Sequence, residues 1–185
     1  MTEPDIRPAD SADLDSFAAT LGDHGFFTDR FNRQRKALGR LFLARLDGRP
    51  AGAVYLWLEQ AEEPPIRWYL PGVALITHLQ VHPDLRNRGV GRALVGAAED
   101  YLAAAGHTRV ALAVRTDNPG AARLYDRLGY RDWGHGEVVC FAQLVLPSGA
   151  VLREPERCRV LVKDLPPVTP KPRAEPTSVA ALPSS

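Results

Sequence analysis

Residues 76–95, ITHLQVHPDLRNRGVGRALV, constrain the fold more than any other part of the chain, because they pass from strand to helix through a turn of arginine and glycine. Ile76, Leu79 and Val81, with the β-branched Thr77, have the composition of a buried strand. His82, Pro83 and Asp84 end it, since proline offers no N–H to a ladder. From Val90 the apolar residues Val90, Leu94, Ala98, Tyr101, Leu102 and Ala105 recur every three or four positions, one face of a helix that Gly106 closes. A second apolar strand follows at residues 108–115, where Val110, Leu112 and Val114 alternate. A strand, a helix and a strand in this order predict a parallel pair.

The start of such a helix leaves backbone N–H groups without partners, at a pole carrying about half a positive charge. Anions bind there. Gly89 and Gly91 remove the Cβ atoms that would hold a phosphate off the main chain, and Arg86, Arg88 and Arg92 offer charge-assisted hydrogen bonds, so a diphosphate is the expected guest. The plainer alternative is an ordinary turn with solvated arginines. A dinucleotide fingerprint is excluded, because the third glycine is missing after Gly91. The loop of nucleoside triphosphatases is excluded too: Gly91 and Gly96 have its spacing, but Ala97 and Ala98 stand where it needs Lys and Ser or Thr.

The order Arg86-x-x-Gly89-x-Gly91, followed by NPGAARLYDRLGY at residues 118–130, resembles the Gcn5-related N-acetyltransferase (GNAT) family. The resemblance spans roughly residues 5–165 and is strongest over 79–130. It implies a mixed α/β fold of the α+β class: a central, mostly antiparallel sheet with a parallel, splayed fourth and fifth strand, and helices on both faces. It implies acetyl-coenzyme A as acetyl donor, with no metal. The diphosphate would then lie on Arg86, Asn87, Arg88, Gly89, Val90, Gly91 and Arg92, and the pantetheine arm along Leu79, Gln80 and Val81. An amide near Leu79 would bond the thioester oxygen. Asn118, Ala121 and Tyr125 would contact the cofactor, and Tyr125 would be the general acid.

The residues themselves agree with those roles. A phenol with an ordinary pKa about 10 is protonated at neutral pH and can hand its proton to a thiolate near 8.5. Tyr125 can equally be a half-buried structural tyrosine. For the base, strand alternation puts His78, Gln80 and His82 on one side and Thr77, Leu79 and Val81 on the other, and a polar side on a central strand calls for partners or a cleft. His78 is the first candidate. Glu59, His135, Glu137 or a water relay are the alternatives. A covalent route through Cys140 or Cys158 has no base or helix N-terminus nearby to support it, and both are expected to be buried thiols.

The rest of the chain supplies the frame. Its 185 residues, 45% of them hydrophobic, suffice for one core, and a single domain is expected over residues 1–165. Residues 166–185, rich in proline, are expected to form a disordered tail. Expected in order are a strand at 5–8, a helix capped by Ser11, a second helix at 26–38 bearing Phe27 and Phe31, and strands at 41–46 and 51–58 joined across Asp47-Gly48. Residues 59–72 are expected to be a loop. A helix at 119–128, strands at 130–133 and 138–146 around a turn at 134–136, and a last strand at 158–165 complete the list.

A net charge of +1 gives no reason to expect nucleic acid, and no apolar run is long enough for a membrane span. A cytoplasmic acyltransferase is expected, acting on a primary amine, preferably of a small molecule, by direct attack in a ternary complex. The alternatives are a protein or peptide N-acetyltransferase, or a module that binds coenzyme A without turnover. A homodimer is compatible with the sequence.

Overall fold

A computed structural model describes residues 2–145 and 150–167. The strands are β1 (Asp5–Pro8), β2 (Gly39–Leu46), β3 (Arg49–Trp57), β4 (Ala74–Val81), β5 (Arg109–Arg115), β6 (Arg131–Val145) and β7 (Val151–Asp164). The helices are α1 (Leu14–Leu21), α2 (His24–Arg35), α3 (Pro64–Tyr69), α4 (Val90–Ala104) and α5 (Pro119–Arg127). The sheet order is β1-β2-β3-β4-β5-β7-β6, and β4 with β5 is the parallel pair in an otherwise antiparallel sheet. That pair is parallel because α4 carries the chain back over one face.

One face is packed by α4 and α5, where Val90, Leu94, Ala98 and Leu102 of α4 meet Val54, Leu56, Ile76 and Leu112 of the sheet. The opposite face is covered by α1 and α2, through Phe17 and Phe27 on Leu41, Leu43 and Tyr55, and by α3, through Ile66 on Leu75 and Ala111. Asp47 and Gly48 both have left-handed φ, the geometry a two-residue hairpin between β2 and β3 requires. The first helix is introduced by Asp10 rather than Ser11. Asp10 accepts from the Ala12 amide at 3.0 Å while Asp13 accepts from the Asp10 amide at 3.3 Å, a reciprocal box around a short 3-10 turn. Asp13 is buried, and Arg7 and Arg45 compensate its charge at 2.6 and 3.1 Å.

Three expectations are corrected. Residues 59–72 are not all loop, because α3 occupies their middle: Pro64 and Pro65 lie in its first turn, where a missing N–H breaks no helical bond. Residues 131–145 are a single strand, bulged between Asp132 and Glu137 where Gly134 and Gly136 take left-handed φ. The last strand begins at Val151. Its first half has no β5 partner, since β5 ends at the Arg115–Cys158 pair, so Arg153, Glu154 and Pro155 are tolerated there and hide the strand from an apolar pattern. Smaller shifts place α2 two residues earlier than expected. Cys158 is buried as expected, whereas Cys140 is only partly so.

Among the described residues no helix is long and apolar enough to cross a membrane, and no group of three or more His, Cys, Asp or Glu is gathered as for a metal ion. Residues 168–185 of the expected tail lie outside the described residues.

Candidate active site

The sheet opens between its parallel strands. β4 and β5 pair only at Ala74–Val110, Leu75–Ala111 and Ile76–Leu112, although β4 continues to Val81 and β5 to Arg115. The cause is a bulge in β4. Tyr55 pairs with Thr77 and Ala53 with Gln80, so the one β3 residue between them faces both His78 and Leu79. His78 takes φ +47°, a left-handed conformation that bends the strand away from β5. Beyond Ile76 the main chain of β4 has no ladder partner on its β5 side, which leaves donors and acceptors facing the gap. On the far wall Ala113 is exposed despite its central strand.

The bulge also corrects the expected alternation. Leu79 and Val81 face α4, as a Cβ built on Gly91 shows by meeting both, while His78 and Gln80 face α1 and α2. Thr77 lies with His78, because its partner Tyr55 belongs to the core under α1 and α2. A bulge puts two consecutive side chains on one face, which strict alternation cannot foresee. His82 leaves the strand and caps the next 3-10 turn, its Nδ1 accepting from the Asp84 amide at 3.3 Å.

At the α4 end of the gap lies the glycine turn. Asn87 and Gly89 have left-handed φ of +59° and +83°, and Gly89 is the N-cap with no side chain to offer, so the amides of Val90, Gly91 and Arg92 have no helical acceptor and no cap. Arg86 and Arg92 are exposed and form no ion pair among the described residues, while Arg88 reaches Asp47 at 3.5 Å. Val90 is buried in the core and contributes only its amide. A Cβ on Gly91 would lie 3.4 Å from Leu124, 3.7 Å from Val81 and 3.9 Å from Leu79, so anything larger would grow into the space between α4, β4 and α5.

Leu124 borders that space from α5, and Tyr125, the next residue, packs into the core on the same face of the sheet. Asn118 caps that helix, its Oδ1 accepting from the Ala121 amide at 3.1 Å. Tyr125 is buried, its phenol makes no hydrogen bond among the described residues, and burial pushes its pKa up to about 12. It is therefore protonated at any physiological pH. Its ring stands edge-on to Tyr130, with centroids 5.5 Å apart.

On the other face His78 stacks on Phe26 with centroids 3.7 Å apart, and its Nε2 lies 3.2 Å from Oε1 of Gln80. The Gln80 amide nitrogen donates to the Leu21 carbonyl at 2.8 Å, so its oxygen must face His78. That arrangement puts the proton on Nε2 and leaves the lone pair on Nδ1. Desolvation lowers the His78 pKa, the Gln80 bond partly opposes this, and Arg30 lowers it further. The residue is exposed overall, with Phe26 stacked over one face of its ring. Of the alternative bases, Glu59 is paired with Arg33 and Glu137 with Arg157 at 2.6 Å, while His135 is stacked on Tyr69 as His78 is on Phe26.

Comparison with known proteins decides the family. The model of the Acetyltransferase (GNAT) family matches residues 9–130. The chain belongs to that family. Over 94 residues it is 34% identical to an uncharacterized N-acetyltransferase of Methanocaldococcus jannaschii, covering 49% of this chain and 38% of that one. Over 93 residues it is 42% identical to a mycothiol acetyltransferase of Clavibacter sepedonicus, covering 50% and 27%. The chain thus spans well under half the length of either relative. In fold it is similar to the ribosomal-protein-S18-alanine N-acetyltransferase of Escherichia coli, with a TM-score of 0.62 at 18% identity over 88% of this chain and 94% of that one. It is equally similar to Chaetomium thermophilum Naa20, solved with a bisubstrate analogue, with a TM-score of 0.62 at 24% identity over 87% and 86%.

In this GNAT chain the turn and Tyr125 lie on one face of the sheet, and His78 and Gln80 on the other. Of the α2 aromatics, Phe27 is fully buried and Phe31 packs against the same core. Phe26 is the α2 aromatic that meets His78. The overlooked neighbour is Arg30, whose guanidinium lies 5.3 Å from the Phe26 ring and 5.1 Å from that of Tyr55. Helical spacing from Phe26 to Arg30 was the available signal. A surface hollow of about 730 Å³ lies at the opposite ends of β4 and β5, among Leu70, Gly72, His107 and Arg109. It is remote from the turn, Tyr125 and His78, and we assign it no part in the chemistry.

Proposed function

We propose that the protein is an N-acetyltransferase that moves the acetyl group of acetyl-coenzyme A directly to a primary amine in a ternary complex. The observation carrying this reading is the gap between β4 and β5, with an anion-binding turn and a protonated phenol on one face and a neutral imidazole on the other. Acetyl-coenzyme A fits the residues present: the open amides of Val90, Gly91 and Arg92 suit a diphosphate, and the missing side chain at Gly91 leaves room for the arm that continues from it. Bound there, it supplies an activated acyl group. Unpaired β4 amides near Leu79 are suited to bond the acyl oxygen as charge grows on it.

The two faces divide the protons. An ammonium entering from the α2 side meets Nδ1 of His78, which can take its proton and leave the neutral amine to attack. The sulfur departs on the α5 side, where Tyr125 can donate. We take the acceptor to be a small-molecule amine; peptide N-termini are the second reading, since one structural neighbour is named for a ribosomal protein's alanine. A panel of small amines and short peptides, followed by product mass, decides between them.

The base assignment has its own test. A base must be neutral, and a pKa held below the usual imidazole value near 6.5 keeps His78 neutral at pH 7, so kcat/KM should fall only as pH drops below that value. His78→Ala is expected to slow transfer about 10²-fold. The loss should be greatest at low pH, where the remaining route depends on the small fraction of free amine. A variant with an unchanged pH profile would move the base to another residue or to water.

A further inference from the structure

We propose that Glu99 is a positioning residue for the Tyr125 phenol, acting through Tyr130. The inference rests on the reading of Tyr125 as proton donor, and it begins at the end of α5. The Gly129 amide donates to the Asp126 carbonyl at 3.0 Å and the Tyr130 amide to the Tyr125 carbonyl at 3.0 Å, with Gly129 at φ +85°. This is the paired-bond C-cap that sets the residue two beyond the cap against the one three before it. Those residues are Tyr130 and Tyr125, and their rings meet edge-on at 66°.

An apolar residue at position 130 would satisfy that contact. This chain instead holds the Tyr130 ring from its far end. Its hydroxyl donates to Glu99 Oε1 at 2.8 Å, and Lys163 Nζ donates to Glu99 Oε2 at 2.6 Å while lying 5.5 Å from the Tyr130 centroid. The Glu99 and Lys163 side chains are only 15% and 24% exposed, so the pair loses hydration that its attraction must offset, and such pairs contribute little net stability. What the triad does supply is orientation. The Tyr125 phenol has no hydrogen bond among the described residues, so packing sets its direction, and the Tyr130 ring is part of that packing. Glu99 also lies on α4, whose first turn is the proposed diphosphate site, and thus ties the proton donor to the helix that holds the donor substrate.

The test is a double-mutant cycle of Tyr130→Phe and Glu99→Gln, each crossed with Tyr125→Phe, with kcat and the KM for acetyl-coenzyme A measured on the amine found by the panel. Each single variant should lose roughly 10-fold in kcat, the scale of a small misplacement of a reacting group, with KM unchanged. In the Tyr125→Phe background neither should lose more. Equal losses in both backgrounds, or none in the native one, would overturn the proposal. A second readout does not depend on turnover: the ¹³Cζ resonance of Tyr125, assigned from its disappearance in Tyr125→Phe, should shift in both single variants. An unshifted resonance in either variant contradicts the positioning role. Should Tyr125→Phe itself retain full kcat, the proton-donor reading fails, and the resonance alone still reports whether Glu99 sets the ring.

Discussion

Replacing Tyr125 with phenylalanine is expected to lower kcat by about 10²- to 10⁴-fold, the range of a positioned general acid. The substitution removes one hydroxyl that has no hydrogen-bond partner among the described residues, and it keeps the ring that packs edge-on against Tyr130. Stability should therefore hardly change. Affinity for acetyl-coenzyme A should also hold, because the proposed diphosphate site is the α4 turn and does not include the phenol. An interaction made only in the transition state lowers kcat and kcat/KM together and leaves KM flat. With a pKa pushed up to about 12, the phenol stays protonated throughout the usable range, so Tyr125 should add no alkaline limb below that value. Steady-state kinetics across pH check both points; unchanged turnover would make Tyr125 structural.

The second large effect is expected at Gly91. Gly91→Asp places a carboxylate in the second position of α4, where its Cβ points toward Leu124, Val81 and Leu79. An acidic residue in a first turn favours the helix, so folding should survive. In the proposed complex the same charge lies beside the phosphates. Two like charges about 4 Å apart repel by about 4 kcal/mol at the effective dielectric of a protein surface, which the exposure of this turn reduces. The Kd for acetyl-coenzyme A should rise about 10²- to 10³-fold on that scale. Calorimetry on the variant, with its melting temperature as control, gives the answer, and unchanged affinity would remove the diphosphate from this turn.

Much of this site was legible in the chain because its parts are local. The turn declares itself by Gly89 and Gly91 after a strand, and α5 by Asn118-Pro119 at its start and Gly129 at its end, each with a steric or hydrogen-bonding reason. What stayed hidden depends on tertiary pairing. The bulge at His78 has no marker in the apolar pattern, and it appears only when β3 and β4 are set in register. The α3 helix was obscured by prolines that, in its first turn, do no harm. The outer half of β7 was obscured by charges that its exposed faces accept. Phe26 and Phe27 are neighbours of one type, and only the packing of α2 tells the core residue from the one against His78.

The central claim is direct transfer across the gap between β4 and β5, and release of the coenzyme A thiol tests it most directly. Enzyme at a concentration comparable to acetyl-coenzyme A is mixed first without acceptor and then with the amine panel, while free thiol is followed in time. The account predicts no thiol beyond the uncatalysed background until an amine is added, then turnover with one acetylated amine per thiol. A stoichiometric burst of thiol without amine, leaving an acetylated protein, would contradict it.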